Sequence, residues 1–178
     1  MAALRYAINV TIDGCVDHRE GVVDEELHRH HAENLLRADG LLFGRTTYEM
    51  MEAAWQNPAP EIADDPFVQA INAAQKFVVS RTRTEVGWNS RLITGDLRTE
   101  IERLKADSTD GIAVGGVTLP AALAQLGLID EYQFVIHPRV AGHGPYLFAG
   151  LEPRLDLDLI GRSELGSGAV VLDYRPRR

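Results

Sequence analysis

Leu41-Leu42-Phe43-Gly44-Arg45-Thr46-Thr47-Tyr48-Glu49 is the stretch on which the reading of this chain turns. Its run of large apolar residues marks the end of a buried strand. Gly44 allows a sharp turn or a close approach of the backbone to a ligand. Thr46 or Thr47 is placed to cap the helix implied by Tyr48-Glu49-Met50-Met51, and a helix N-terminus offers unpaired N–H groups with a partial positive charge. Arg45 adds a full charge at the same place. Strand, glycine, arginine, hydroxyls and helix, in that order, suit a phosphate. The same order also describes an ordinary capped strand-to-helix turn with a solvated arginine, and short motifs match often by chance.

On either side of this stretch the pattern alternates. Leu4 to Val10 reads as a strand, and Thr11-Ile12-Asp13-Gly14 turns out of it. Val22 to Arg37 has helical periodicity: Leu27, Ala32 and Leu35 share a face with Asp24, His28 and His31, while Glu26, Arg29, His30, Glu33 and Arg37 fall on the watery side. The helix after Gly44 ends near Trp55, Asn57-Pro58-Ala59-Pro60 is a loop, and a short helix spans Pro66 to Ala74. Phe77-Val78-Val79 and Leu92-Ile93 are strands, followed by a helix from Asp96 to Ala106. Ile112-Ala113-Val114, Gly115-Gly116 and a helix from Leu119 to Leu126 complete a βαβ alternation that implies a parallel sheet covered by helices. Tyr132 to His137, Arg154 to Gly161 and Ala169 to Arg175 are strands without long helices between them. Leu155, Leu157 and Leu159 alternate with Asp156 and Asp158, as in a strand wet on one side. An antiparallel addition to a parallel sheet, within one domain over residues 1–178, is the expectation.

Composition narrows the function. The chain has 178 residues, 45% hydrophobic and 25% charged, as in a soluble globular protein. No apolar run reaches the roughly 18 residues of a membrane span, and Met1-Ala-Ala-Leu-Arg-Tyr leads directly into a strand without a signal peptide's apolar stretch. Cys15 is the only cysteine, so a disulfide within the chain is excluded and a reducing cytoplasm is the expected location. A net charge of −8 argues against general nucleic-acid binding.

Ligands of open α/β sheets settle outside the carboxyl ends of the strands. Three strands here end in suggestive loops: Gly44-Arg45-Thr46-Thr47, Ser80-Arg81-Thr82 and Gly115-Gly116-Val117-Thr118. The last opens a helix, and its N–H groups suit a pyrophosphate. The hydroxyl and guanidinium of Ser80 and Arg81 suit a phosphate monoester. A dinucleotide with an extra phosphate, such as NADP, follows from the set. The G-x-G-x-x-G fingerprint of an ordinary dinucleotide fold is absent.

Asp13-Gly14, the Leu42-to-Glu49 stretch, Val78-Val79-Ser80-Arg81-Thr82, Val114-Gly115-Gly116 and Gly127-Leu128-Ile129-Asp130-Glu131 occur in this order, followed by Pro138 through Gly142-His143-Gly144 to Leu147-Phe148. Together they resemble the dihydrofolate reductase-like superfamily. Within it, the chain is most similar to the reductase domain of the bacterial riboflavin-biosynthesis deaminase–reductase and its stand-alone homologues. The resemblance implies a three-layer α/β fold and an NADPH-dependent reductase of a small molecule, often a homodimer. By that resemblance Arg45 and Arg81 face the adenosine 2′-phosphate, with Ser80 and Thr82 beside them. Gly44, Thr46, Thr47, Gly115, Gly116, Val117, Thr118 and Leu119 belong to the cofactor site, with Thr47 and the segment from Gly115 to Leu119 holding the pyrophosphate. Asn9 and Val16 lie near the nicotinamide and substrate.

In dihydrofolate reductases a carboxylate on the first helix, sixteen residues before the motif glycine, grips the pterin; here that position is His28. Asp24 is one turn earlier on the same face. Asp24 and His28 are therefore candidates for a proton-donating pair, with His31 as a substrate contact. A metal site lacks obvious further ligands. Buried histidines with purely structural hydrogen bonds are the plain alternative, as packing is for Cys15, Trp55 and Trp88. A rival function is an NADP-binding protein without turnover.

Overall fold

A computed structural model describes residues 1–177. β1 (Leu4–Thr11) leads into α1 (Glu25–Leu36), β2 (Gly40–Gly44), α2 (Arg45–Trp55), α3 (Pro66–Ala73) and β3 (Lys76–Val79). β4 (Ser90–Ile93), α4 (Leu97–Asp107), β5 (Ile112–Val114), α5 (Thr118–Gln125) and β6 (Glu131–His137) follow, and β7 (Leu157–Glu164) and β8 (Val170–Pro176) end the chain. The strands form one sheet in the order β4-β3-β2-β5-β1-β6-β8-β7. All pairings from β4 to β6 are parallel, and β8 joins β6 and β7 antiparallel. The expected α/β fold with an antiparallel addition is thus what forms.

Alternation along the strands distributes the core. Leu4 and Tyr6 of β1, Leu42 of β2, and Ile112 and Val114 of β5 face Ile101 and Leu104 of α4 and Leu123 of α5. Leu41 and Phe43 face the other way and meet Tyr48 of α2 and Ile71 of α3. Leu27 of α1 packs on that second face against Val135 and Val171. Each fully buried side chain of this size contributes about 1.5–3 kcal/mol relative to exposure. The result is a sheet between two helical layers, α1, α2 and α3 on one side and α4 and α5 on the other.

Several boundaries differ from the sequence reading, two of them by three residues. The first helix starts at Glu25 rather than Val22, because Asp24 is its N-cap. The strand expected over Arg154 to Gly161 runs from Leu157 to Glu164, with an irregularity between Leu159 and Gly161. An extra residue there breaks the two-residue period, so Leu159 and Ile160 are both exposed, 55% and 48%. No helix of the described residues is long and apolar enough to cross a membrane.

Candidate active site

The centre of the sheet opens into a crevice at its carboxyl edge. β5 ends at Val114, opposite Tyr6 of β1 and Leu42 of β2. β1 continues from Ala7 to Thr11 with only β6 beside it, and β2 continues to Gly44 beside β3. The short middle strand therefore leaves a gap between two longer ones, and it does so at the edge where such sheets take ligands.

Gly115 and Gly116 line the base of this gap. The Gly115 N–H donates to Leu42 O over 3.1 Å, and the Tyr6 hydroxyl donates to Gly116 O over 2.9 Å. Gly116 has φ +97°, and a Cβ there would collide with Thr47 Oγ1; at Gly115 it would stand 2.9 Å from Phe43 Cε1. Backbone thus approaches α2 more closely than a side chain would permit. The starts of α2 and α5 come together here, Gly44 lying against Leu119. Neither helix has a side-chain cap, whereas Asp24, Asp65 and Asp96 cap α1, α3 and α4. This corrects the expectation that Thr46 or Thr47 caps α2: the helix begins at Arg45, with Gly44 as N-cap. Two sets of first-turn N–H groups, left without side-chain acceptors, converge on the crevice.

β3 lies next to β2, so Ser80-Arg81-Thr82 adjoins Gly44-Arg45. The buried Ser80 hydroxyl accepts from the N–H groups of Thr82 (3.2 Å) and Arg83 (3.1 Å), which folds the turn. Arg81 and Thr82 are exposed. Arg45 pairs with Glu49 at 3.6 Å, and Arg83 reaches the same carboxylate at 3.0 Å. Arg83, which the sequence reading passed over, is a further guanidinium at this corner; its only signal was the alternation Arg81-Thr82-Arg83.

On the opposite wall, the expected Asp24–His28 pair does not form. The Asp24 carboxylate accepts from Leu27 N–H at 2.8 Å as the cap of α1, which commits it to the helix end. His28 instead pairs with Asp65 at 2.8 Å and packs against Trp55 and Phe67. Burial pushes the Asp65 carboxyl up, but hydrogen bonds from His28 and the Phe67 N–H outweigh it and hold it below its usual range. Asp65 also caps α3, so this pair ties α1 to α3. His31 lies beside another candidate site residue, its Nε2 being 3.2 Å from Asn9 Oδ1, a pairing the sequence did not indicate. His137 approaches the same oxygen at 3.1 Å. Burial first, then the imidazoles of His30, His28 and His137, pull His31 down to about 4. His30, expected in water, bonds Gln133 at 2.8 Å. Val16 is buried, 7% exposed, with its N–H donating to Pro145 O.

Other motifs serve architecture. Asp13 accepts from the Thr11 hydroxyl and from the N–H groups of Ala141 and Gly142; these bonds, the hydroxyl's foremost, hold its carboxyl down at about 2. They lock the turn after β1 to the loop after β6. Asp130 accepts from Leu4 N–H and pairs with Lys105 at 2.6 Å, anchoring the start of β1. Among the described residues no three His, Cys, Asp or Glu side chains gather as a metal site.

A hollow of about 720 Å³ lies elsewhere, lined by Asp39, Gln75 and Asn89 among others. These residues precede β2, β3 and β4, at the amino edge. The crevice is favoured over it because only the carboxyl edge gathers uncapped helix starts and close-packed glycines.

The model of the RibD C-terminal domain matches residues 2–171. The uncharacterized protein YyaP of Bacillus subtilis strain 168 is 28% identical over 174 residues, covering 93% of this chain and 90% of that protein. A candidate riboflavin biosynthesis protein of Shewanella sp. PV-4 has a similar crystal structure, with TM-score 0.78, 25% identity and 99% of each chain covered. The Thermotoga maritima diaminohydroxyphosphoribosylaminopyrimidine deaminase/5-amino-6-(5-phosphoribosylamino)uracil reductase shares the fold at 15% identity and TM-score 0.65, over 99% of this chain and 57% of that one.

Proposed function

This chain belongs to the RibD C-terminal domain family, and on that premise we propose that it is an NADPH-dependent reductase of a small heterocyclic or carbonyl compound. The observation that carries the reading is the convergence of two uncapped helix starts on a glycine-floored crevice at the carboxyl edge. That cradle fits a pyrophosphate, since the first-turn N–H groups of both helices lack side-chain acceptors there. NADPH, when bound, supplies a hydride.

The chain's own residues position and exclude. Gly115, Gly116 and the first turns of α2 and α5 hold the pyrophosphate, with Thr46, Thr47, Val117, Thr118 and Leu119 around it. Arg45 and Arg81 pair with the 2′-phosphate beside Ser80 and Thr82. Asn9 and His31 border the space for the reacting ring. His28, tied to Asp65, has an ionisable partner with which to hold a proton near the substrate. The Thermotoga protein is named a 5-amino-6-(5-phosphoribosylamino)uracil reductase, and ribosylamino-uracils, reduced at the ribose to a ribitol as the family resemblance implies, are the first substrate class to try.

The test is NADPH consumption over ribosylamino-uracils, small carbonyl compounds and dihydrofolate. Turnover is expected with a member of the first two groups and negligible with dihydrofolate. A pterin gains a proton as hydride arrives and needs a carboxylate for the charge; here His28 stands at the expected position and Asp65 is already engaged. Rapid dihydrofolate reduction would overturn this, and NADPH binding without consumption on any compound would favour a binding protein.

We also infer a homodimer with C2 symmetry. The exposed Leu159 and Ile160 of the edge strand β7 support that surface. Sedimentation at micromolar concentration should give about twice the monomer mass of 19.6 kDa; a monomer across that range refutes it.

A further inference from the structure

Asn9 stands where β1 has lost its β5 neighbour, on the sheet face that α1 covers. The direction of an asparagine amide is ordinarily assigned from its surroundings, and here the surroundings leave one answer. Val22 N–H, which can only donate, meets His137 Nδ1 at 3.1 Å. That nitrogen must offer its lone pair, so a neutral His137 carries its proton on Nε2. The Nε2–H needs an acceptor, and Asn9 Oδ1 lies 3.1 Å away. The same oxygen takes His31 Nε2–H at 3.2 Å. Turning the amide over would set N–H against N–H at His137, whose tautomer Val22 N–H fixes. Both acceptor positions of Oδ1 are therefore used.

The Nδ2 amino group keeps its two N–H donors, with no protein acceptor among the described residues. No buried side-chain nitrogen or oxygen lacks a partner among them, so this group reaches accessible space. Asn9 lies on the stretch of β1 that borders the crevice, beyond the end of β5. Gly115 and Gly116 line the base of that gap.

We propose that Asn9 is the specificity-determining residue of the site: its NH2, held by His31 and His137 as positioning residues, donates to a carbonyl oxygen of amide or lactam type on the bound ligand. The inference rests on the reductase reading given above. A fixed double donor accepts a carbonyl and rejects an amino group at the same place, because opposed donors leave both unpaired. Two molecules bring such a carbonyl, the cofactor through its nicotinamide carboxamide and a heterocyclic substrate through a ring lactam.

The experiment titrates the full chain with NADPH, with lumazine as a lactam, and with 2′-phospho-ADP-ribose, which lacks the nicotinamide. Asn9→Asp replaces the donors by an acceptor in the same volume. It should weaken NADPH or lumazine by about tenfold or more and leave 2′-phospho-ADP-ribose unchanged. A loss confined to NADPH assigns the carboxamide as the ligand carbonyl; a loss confined to lumazine assigns the substrate. If 2′-phospho-ADP-ribose binds and Asn9→Asp alters neither of the others, the inference fails and the reductase reading stands. If the unmodified protein does not bind 2′-phospho-ADP-ribose, the underlying reading fails instead. His137→Gln, which keeps an N–H near Nε2, should retain the affinity that His137→Phe loses. Nitrogen NMR of the unmodified protein at neutral pH should show His137 protonated at Nε2, and protonation at Nδ1 would overturn the clamp even if the Phe variant does not fold.

Discussion

Arg45→Ala combined with Arg81→Ala is expected to weaken NADPH binding by about a hundredfold or more and to change NADH binding little. Each charged hydrogen bond to a phosphate monoester is worth about 1.5–3 kcal/mol, and only NADPH carries that monoester. The structure refines the expectation. Arg81 is exposed and makes no ion pair among the described residues, so its guanidinium is available. Arg45 shares Glu49 with Arg83 at 3.6 and 3.0 Å, so part of its charge is already balanced. Glu49→Gln should accordingly tighten NADPH, and Arg83→Ala should release Glu49 onto Arg45 and weaken it. Calorimetric titration of both cofactors checks this. Equal losses for NADPH and NADH in the double variant would remove the 2′-phosphate from the arrangement.

Acid should destabilise the protein well before its carboxylates titrate. His31 is lowered from 6.5 to about 4, so both folded and unfolded chains hold it neutral above pH 6.5. Between that pH and about 4 the unfolded chain takes up a proton that the folded chain refuses, and stability falls as pH falls. The full difference amounts to about 3 kcal/mol, and buried His137, also lowered mainly by burial, acts in the same direction. Exposed His143 acts oppositely, raised by Gly144 O and Glu20; solvent screens it. Asp13, held at about 2, keeps its contribution above the ordinary carboxylate range and loses it only at lower pH. Urea unfolding across these windows should show the first loss in the wild type and most of it absent in His31→Gln. An unchanged midpoint from pH 6.5 to 4 in the wild type would show that His31 is not held neutral.

Much of the fold was legible because its signals are local. Leu41-Leu42-Phe43, Phe77-Val78-Val79 and Ile112-Ala113-Val114 announce strands by composition, and the glycines after β2 and β5 announce turns whatever their neighbours. Those features placed the three candidate loops at strand ends, and the parallel pairing of β3, β2 and β5 set them side by side. The rough boundary of the first helix was also local. Its start was not, because Asp24 could serve equally as a helix-face acid or as a cap; the cap prevails by satisfying the unpaired Leu27 N–H.

The histidines lay beyond local reading. A helical wheel puts His28 and His31 on one stripe but cannot name their partners. His28 finds Asp65, 37 residues away, because α1 packs on α3. His31 finds Asn9, and Asn9 finds His137, 128 residues on, because the parallel register sets Asn9 against Val135 and Thr11 against His137, with Asn9 and His137 on one face. The sequence by itself determined an α/β sheet with its turns and glycines at the right strand ends, since backbone propensity and hydrophobic period act over a few residues. Only the tertiary structure decided which polar side chains meet, because a hydrogen bond depends on register to within about an ångström, and register is set by packing across the whole sheet.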